Sequence, residues 1–398
     1  MLAFCSQIIH CQKKNTMKIK PPLWLAIALM MFPQIVETIY SPALTNISRG
    51  FSVSVEQASQ TLSLYFFAFA IGIVVWGRLC DVIGRRPTII TGLLLYGGAC
   101  LLALLTTHFW LLLIARMLSA FGAAVGSIGT QTMMRDSYRG EELPRVFSIM
   151  GIALAASPAI GMISGSTLNH FGNYQAVFAG LAILAIILTM WSMARLPETR
   201  PTTVTKVVLS ETARMMLKDI SIWRSAFLIA LFNICLFSYY QLAPFRFDQL
   251  GISPTLFGYT GLLLALGVML GSVLNKLLLK KKWKTEKLTF LAACLTLFSG
   301  IFVYLLENSW LFIFPMLGIV IAYGVAIPNL LASALTHYTD RLGTAGALLG
   351  LFYYMLLAGG LTIAGWSQAL GNTLAYCGLA TVLLSLPGLI IPSRDSKF

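Results

Sequence analysis

The chain has 398 residues, of which 58% are hydrophobic and only 11% are charged, and its mean hydropathy is +0.81. A soluble domain carries about a quarter of its residues as Asp, Glu, Lys and Arg, so this composition excludes a soluble globular protein. The net charge of +14 is of a kind often found in nucleic-acid-binding proteins. Here, however, the Lys and Arg residues fall almost entirely in alternate connections, as positive charge does on the cytoplasmic side of membrane proteins. We expect the lipid bilayer, and no nucleic acid, as a partner.

Twelve segments of the chain are apolar over the roughly 20 residues that a membrane-spanning helix needs. We predict spanning helices 1 to 12 at residues 22–45, 56–78, 87–107, 109–134, 144–168, 173–195, 223–246, 254–279, 287–306, 309–335, 343–369 and 373–391. The predicted fold class is therefore an all-α integral membrane protein with twelve transmembrane helices.

One long polar connection divides these helices into six and six. The predicted domains are an N-terminal tail (1–21), a first six-helix bundle (22–195), a central loop (196–222), a second six-helix bundle (223–391) and a C-terminal tail (392–398). Within the central loop, Ser210 to Lys218 is predicted to form a helix on the membrane surface.

The distribution of charge predicts the orientation of the chain. Every even-numbered connection is basic, whereas the odd-numbered connections contain few bases; the even set includes Arg78, Arg85, Arg86, Arg135, Arg139, Arg145, Lys276, Lys280, Lys281, Lys282, Lys284, Lys287 and Arg341. We therefore expect a multi-pass protein of the inner (plasma) membrane with both termini, the central loop and the basic connections in the cytoplasm. We expect no cleavable signal peptide, and Met1 and Met17 are both candidates for the start of translation.

An internal repeat supports the division into two halves. Gly77, Asp81 and the bases that follow them end helix 2, and Gly271, Asn275 and the lysines beyond them end helix 8 in the same frame. Two parallel six-helix halves are a common transporter design, in which the substrate is held between the halves near the membrane midplane.

The segment from Gly77 to Arg86 resembles the signature loop of the major facilitator superfamily, with Val82 at a position that is usually basic. Arg116 to Gly122 resembles the fourth-helix motif of drug:proton antiporters, with Ser119 where Gln is usual. Ser157–Gly165 resembles a degenerate form of the Pro/Gly antiporter motif of the fifth helix. Further segments are similar to the Bcr/CflA and EmrD-like multidrug exporters: Glu37–Leu44, Arg135–Tyr138, Pro197–Pro201 and Gly343–Ala347. Many of these exporters carry Asp at the position of Thr38.

This resemblance implies two pseudo-symmetric six-helix bundles and a proton-coupled secondary transporter. Such a transporter exports drugs or other small amphipathic molecules across the inner membrane by alternating access. Thr38 and Ser119 depart from the pattern of the exporters. They leave open an alternative, a dedicated carrier that exports or imports one endogenous metabolite such as a siderophore.

Two charged residues lie deep within predicted spans, Glu37 on helix 1 and Arg116 on helix 4. Charges inside the membrane are costly and are usually functional. Both residues lie about 10–12 Å from the same end of their helices, given the helical rise. We interpret Glu37 as the proton-coupling acid and Arg116 as a fixed positive charge that tunes it, since Arg keeps its proton. A static ion pair that only joins the two helices, or a role in substrate binding, is the alternative.

The loop after helix 2 is predicted to form a cytoplasmic latch of Gly77, Asp81, Gly84, Arg85 and Arg86. Asp81 is expected to accept hydrogen bonds from an adjacent helix N-terminus, and the two arginines are expected to pair with acids or lipid phosphates. Charges that serve only to orient the chain would explain Arg85 and Arg86 but not Asp81 with its glycines.

Helix 5 carries a helix-bend motif of Pro158, Gly161 and Gly165. Proline and small residues favour a bend and close helix contact, and we expect this face to pack against the second half. Gly359, Gly360 and Gly365 on helix 11 are the partners that we expect there. Ordinary packing of membrane helices is the alternative.

The candidates for substrate binding are polar or aromatic side chains within spans, which suit amphipathic, neutral or cationic molecules. They are Gln34, Tyr40, Gln60, Tyr65, Asn233, Tyr239, Tyr240, Gln241, Asn329, Tyr353 and Tyr354. Each alone is as consistent with packing or with anchoring at the membrane interface.

Nothing in the sequence indicates a cofactor or a metal site. The chain has no Gly-x-x-x-x-Gly-Lys-Ser/Thr loop for ATP, and its 4 His residues are isolated from one another. An enzyme would need a cluster of His, Asp or Cys within the spans, and a channel would need repeated polar residues along a pore. We expect a monomeric transporter, not an enzyme, whose partners are a small-molecule substrate, protons and lipid.

Overall fold

The computed structural model describes residues 20–201 and 209–390. Most of the predicted N-terminal tail, part of the central loop and the C-terminal tail lie outside the described residues, as do both candidate start methionines. Eleven helices in the described part are long and apolar enough to cross a membrane. One of these has 54 residues and contains two spans, so the predicted all-α fold with twelve spanning helices is confirmed.

In the first half, α1 spans Leu23–Thr38 and continues through a 3₁₀ turn, Ser41–Ala43, into a short helix, Leu44–Gly50. Three further helices follow: α2 (Val55–Ile83), α3 (Arg85–Leu105) and α4 (Phe109–Ser137). The long helix Glu142–Arg195 breaks at Gly172 and Asn173, where Asn173 has a φ of 55°. We call the part before this break α5 and the part after it α6.

In the second half, the helices are α7 (Ile220–Gln249), α8 (Pro254–Lys280), α9 (Thr285–Leu306), α10 (Ile313–Ala334), α11 (Leu342–Ser367) and α12 (Leu370–Ile390). Short 3₁₀ helices, Trp310–Phe312 and Thr336–Arg341, precede α10 and α11. Before α7, the helix Leu209–Lys218 lies where the sequence predicts a surface helix.

Polar side chains mark several helix starts because the first backbone N–H groups of a helix lack partners within it. The hydroxyl of Ser54 accepts from the backbone of Gln57, whose side chain accepts in return from the backbone of Ser54. Ser253 caps α8 ahead of Pro254, and Asp219 caps α7. These caps stand at the ends of the apolar segments, where the backbone leaves the membrane core.

The helices pack in the same pattern in both halves. In the first half α4 contacts α1, α2 and α3, and in the second half α10 contacts α7, α8 and α9. Likewise α3 packs on α6, and α9 packs on α12. Between the halves the main contacts are α2 with α11 and α5 with α8. These two contacts are equivalent, because α2 of the first half corresponds to α8 of the second, and α5 corresponds to α11. The described helices therefore form two pseudo-symmetric six-helix bundles.

The packing of α5 corrects one prediction. A side-chain carbon at Gly161 would collide with Thr38, and one at Gly165 would collide with the backbone of Ile39. Both glycines therefore pack against α1 of their own half, and the prediction that they face the second half is wrong. The second half is instead contacted by Met162 and Ser166, on a neighbouring face of α5.

The partners in the second half also differ from those predicted. Gly258 and Gly261 of α8 receive Ser166 and Met162. On α11, Gly360 packs on Ile234 of its own half, whereas Gly365 contacts α2. Because α5 lies between α1 and α8, it needs small residues on the faces towards both helices. The spacing of small residues in the sequence does not tell which neighbouring helix packs on which face. The backbone angles stay helical through Pro158.

These contacts predict the effect of enlarging Gly165. Gly165→Val should lower the free energy of unfolding by about 1–3 kcal/mol or more, because the added side chain overpacks the contact with Ile39. The thermal unfolding midpoint in detergent measures this loss. Gly359→Val is the matched control, since no atom lies within 4 Å of a side-chain carbon there. Equal midpoints for the two variants would contradict the assigned packing.

Candidate functional site

Glu37 and Arg116 lie side by side in the first bundle, both removed from solvent. Glu37 stands in the last turn of α1 and is 4% exposed, and Arg116 of α4 is 1% exposed. The guanidinium is close enough to act electrostatically on the carboxyl. Within residues 20–201 and 209–390, however, no N–O distance of 4.0 Å or less joins the two side chains. They are neighbours without a direct ion pair.

Arg116 is held by two aromatic rings. Its Cζ atom lies 3.9 Å from the ring centroid of Tyr40 and 4.5 Å from that of Tyr65. Among the described residues, its Nε and Nη2 atoms have no hydrogen-bond partner, and neither do the hydroxyls of Tyr40, Tyr65 and Tyr96. Buried polar groups in proteins are normally paired, so this cluster is an unusual concentration of unsatisfied donors.

The carboxyl of Glu37 also lies within electrostatic range of the second half of the molecule. It interacts electrostatically with phenols on three helices of that half: Tyr240, Tyr323, Tyr353 and Tyr354. Tyr323 was missed by the sequence analysis, although it is a lone polar aromatic in the apolar α10. Its hydroxyl donates to Asn233 Oδ1 at 3.2 Å.

Aromatic rings connect these phenols across the two halves. The ring of Phe66 on α2 lies 4.5 Å from that of Phe237 and 6.0 Å from that of Tyr354, centroid to centroid. Tyr354 in turn lies 5.1 Å from Phe69 and 4.4 Å from Tyr353. One acid thus borders an aromatic wall that both halves build.

The predicted substrate-binding residues divide into groups. Tyr40 and Tyr65 stack on Arg116, and Tyr240, Tyr353 and Tyr354 lie within electrostatic range of Glu37. Asn233 joins this group through its hydrogen bond from Tyr323, and half-buried Gln34 lies one turn before Glu37. Tyr239 and Asn329 lie apart from this centre, within the packing of the second half. Tyr239 donates to Thr260 at 2.7 Å, and Asn329 donates to Asn275 at 2.8 Å.

The two remaining candidates, Gln60 and Gln241, join the halves. The side-chain amide of Gln241 lies 3.0 Å from the backbone oxygens of Ser59 and Leu361, and that of Gln60 donates to the backbone of Thr362. We call the side of the molecule with the basic connections the basic face and the opposite side the distal face. Gln241 lies about 12 Å from the distal end of α7, from the helical rise.

All the hydrogen bonds and ion pairs recorded between the halves in the described residues lie on the distal side of the molecule. Besides the two glutamines they involve Ser41 with the Tyr240 backbone, Arg49 with Asp248 at 2.6 Å, Ser166 with the Pro254 backbone and Gln368 with Ser59. We call this set the distal seal. The structure is thus a state in which the two halves are closed on each other at the distal face.

At the basic face, the latch residues interact within the first half. Arg85 is buried; its Nε atom donates to Asp136 at 2.7 Å, and its Nη1 atom lies 3.3 Å from Asp81. The expected hydrogen bonds from a helix N-terminus to Asp81 are absent from the described structure, so that prediction is wrong for this conformation. Asp81 lies at the end of α2, where Arg85 one turn on is the closer partner.

Glu198 takes the role that was predicted for Asp81, and the sequence analysis assigned it none. Its carboxylate accepts from the backbone N–H groups of Arg85 at 2.9 Å and Arg86 at 3.1 Å, at the start of α3. Anions are stabilised at this end of a helix. Gly84 makes the approach possible, because its φ is 106° and a side chain there would collide with Glu198. The segment after α6 is thereby bound to the latch.

A membrane carrier is the class that this architecture defines, with two pseudo-symmetric bundles that close on each other at the distal face and a buried charged centre. Residues 23–363 match the Major Facilitator Superfamily, and the chain belongs to that family. It is therefore a multi-pass transporter of small molecules and not an enzyme.

Relatives with curated descriptions support this membership. The chain is 30% identical over 361 residues to an uncharacterized transporter of Rickettsia bellii, covering 85% of this chain and 88% of that one. It is 26% identical over 403 residues to multidrug resistance protein MdtM of Escherichia coli K12, covering 94% of each. The crystal structure of a D-xylose-proton symporter has the same fold, with a TM-score of 0.73, 16% identity and coverage of 92% and 95%.

The ion pair in the distal seal yields a testable prediction. Arg49→Asp should raise the labelling rate of a cysteine at Thr45 several-fold, because an exposed pair contributes up to about 1 kcal/mol and like charges would then face each other. Thr45 is buried near the contact between the halves. The assay uses a membrane-impermeant maleimide and a background without the 7 native cysteines.

The charge-reversed pair, Arg49→Asp with Asp248→Arg, should restore the slow rate. Arg139→Asp on the basic face is the control for the change in net charge. An unchanged labelling rate in Arg49→Asp would show that this pair does not hold the seal.

Proposed function

We propose that the protein is a proton-coupled exporter of small amphipathic molecules, neutral or cationic, across the inner membrane by alternating access. The observation that carries this proposal is the buried carboxyl of Glu37, which borders the aromatic wall and lacks a direct ion pair in the described structure. In this proposal the basic face is cytoplasmic, as the distribution of charge predicts. The domain boundaries from the sequence analysis belong to the same proposal, with the two bundles moving as units.

Glu37 is placed to bind either a proton or a substrate. Removal from water favours the neutral acid, whereas the nearby guanidinium of Arg116 favours the carboxylate. Because no direct ion pair holds the carboxylate, Glu37 can change between its neutral and its ionised form. Arg116 keeps its own charge at any working pH, so proton exchange at this centre falls to Glu37. A static pair that only joined α1 to α4 would need the contact that the described structure lacks.

The transport cycle follows from competition at this carboxyl. When the cavity faces the cytoplasm, Glu37 releases its proton, and the carboxylate attracts a cationic or polarised substrate. When the cavity faces the distal side, substrate leaves and a proton takes its place. Proton entry and substrate exit are then linked, because the proton and the substrate bind to the same carboxyl and cannot occupy it together.

Substrate class follows from the lining of the site. Aromatic faces attract cations and amphipathic molecules, and a mostly apolar pocket with few polar groups is typical of small-molecule sites. The relative MdtM is named for multidrug resistance, which supports export of varied compounds. The candidates at the wall, including Tyr323, are proposed as substrate contacts.

One observation favours the second candidate, a dedicated carrier of one endogenous metabolite. Thr38 donates to the backbone of Gln34 at 2.9 Å and packs against Gly161. The site of a second acid in many related exporters is therefore filled by a packed hydroxyl. A centre with one acid can neutralise only one positive charge, so it binds fewer kinds of charged substrate than a centre with two acids.

The gates are assigned in the same proposal. The distal seal closes the exit in the present conformation, while the latch around Arg85 stands ready to join the halves on the basic face when the distal seal opens. Glu198 holds the start of α3 in place for this contact. The close packing of α5 on α1 at Gly161 and Gly165 lets α5 move with the helix that carries Glu37.

The central test replaces the acid. Glu37→Gln should abolish ethidium transport driven by a pH gradient in proteoliposomes, by at least about tenfold, because the amide cannot carry a proton at this site. Glu286→Gln, at the start of α9 on the basic face, is the matched control and should transport as the wild type does. Monodisperse elution in detergent verifies that both variants fold.

If Glu37→Gln retained full proton-coupled transport, Glu37 would not be the proton carrier. If the wild type moves no ethidium but does move a cellular metabolite, the dedicated-carrier alternative is correct.

A further inference from the structure

Arg116 lies in a cage of two tyrosines, and a role of these tyrosines in substrate contact does not explain why both rings stack on the guanidinium. We propose that Tyr40 and Tyr65 are positioning residues that hold the guanidinium of Arg116 away from a direct ion pair with Glu37, so that Glu37 remains free to exchange protons. This inference rests on the proposed role of Glu37 as the proton carrier.

The geometry of the cage is that of a cation–π sandwich. Both ring centroids lie within 4.5 Å of the Arg116 Cζ atom, inside the limit of about 6 Å for this interaction. A planar guanidinium stacks well on aromatic faces, which an ammonium group does less well. Because the site is sealed from solvent, the attraction is stronger than at a protein surface.

The two rings are themselves held in place. Tyr65 lies 5.6 Å from Phe66 and 6.2 Å from Phe69, and Tyr40 lies 5.9 Å from Phe178, all between ring centroids. The backbone next to Tyr40 is fixed as well, because Ser41 donates to the carbonyl of Tyr240 across the halves. The cage is therefore part of the packed bundle and not a chance contact of mobile side chains.

Without the cage, the nearest anion would capture the guanidinium. In a medium of low dielectric constant, opposite charges at contact distance attract strongly, and a direct pair would hold Glu37 as the carboxylate. The Nε and Nη2 atoms of Arg116 have no hydrogen-bond partner among the described residues, so the two rings are the contacts that hold the guanidinium. The cage thus balances the carboxyl between its two protonation states.

Several titratable groups act on Glu37 besides Arg116, and each belongs to a helix that packs around the site. They are Tyr65 on α2, Tyr240 on α7, Tyr323 on α10, and Tyr353 and Tyr354 on α11. All are phenols, which stay neutral over the pH range of transport. Arg116 is the one permanent charge in this set, so among these neighbours its position has the largest electrostatic effect on the proton affinity of Glu37.

The experiment weakens the cation–π attraction without changing the packing. Tyr65→Phe keeps the ring face, and replacement of Tyr65 by trifluorophenylalanine keeps the ring volume but withdraws its negative face. The pH dependence of the protonated-carboxyl infrared band is followed in the purified protein, with Glu37→Gln to identify the band. The same two replacements are made at Tyr40.

Fluorination should move the midpoint of this titration to lower pH by roughly half to one unit relative to Phe, because a freed guanidinium favours the carboxylate. The pH profile of ethidium transport should move in the same direction. Tyr96 is the matched control: it is buried in the same bundle with an unpaired hydroxyl and makes no ring contact with Arg116, so fluorination there should leave the midpoint unchanged.

The outcomes separate the two proposals. If the titrating band survives in Glu37→Gln and coupled transport persists, the proton-carrier assignment fails. If Glu37→Gln removes both but fluorination at Tyr40 and Tyr65 leaves the midpoint in place, or moves it to higher pH, the cage proposal alone is overturned. Elution as a monodisperse peak is required of each variant, and the near-identical ring volumes make this requirement easy to meet.

Discussion

The structure depends on the cost of holding a charge where lipid replaces water. Only 11% of the residues are charged, and nearly all of these lie at the two faces of the molecule. There they cap helices, bind the latch and join the halves. The exceptions, Glu37 and Arg116, are buried in the first bundle. Their partners are aromatic faces and not a counter-ion at contact distance. That arrangement leaves an acid whose charge is not fixed by its neighbours, which is the property that proton coupling requires.

Alternating access needs contacts that hold one side and can be released. The distal seal consists of a few amide and hydroxyl hydrogen bonds and one exposed ion pair, each of modest net strength. The tight packing of α5 on α1 and of α8 on α10, by contrast, leaves no room for a side chain at Gly165 or Gly271. The molecule therefore combines rigid bundles with an interface between them that polar contacts hold on one side, which suits rigid-body rocking about a central site.

Much of this architecture could be predicted from the sequence because membrane helices follow from length and hydropathy alone. The twelve spans, the surface helix near Ser210, the halves and the buried pair of charges all rest on local patterns. The sequence did not predict which helices pack against each other. Gly161 and Gly165 face α1, because the spacing of small residues gives a face of the helix but not its neighbour. Glu198 and Tyr323 reach their sites through tertiary contacts, so a lone acid in a loop and a lone tyrosine in a span carried too weak a signal. The tyrosine cage, too, depends on three segments meeting, namely the turn after α1, α2 and α4.

Coupled transport by this centre requires that proton and substrate compete for Glu37. The direct measurement is proton release on ligand binding, with ethidium titrated into purified protein in weakly buffered detergent and a pH indicator recording the protons released. At a pH where Glu37 is protonated, the account predicts release of about one proton per bound ligand, falling towards zero as the pH rises and the carboxyl is already ionised. Ligand binding with no proton release at any pH would contradict it.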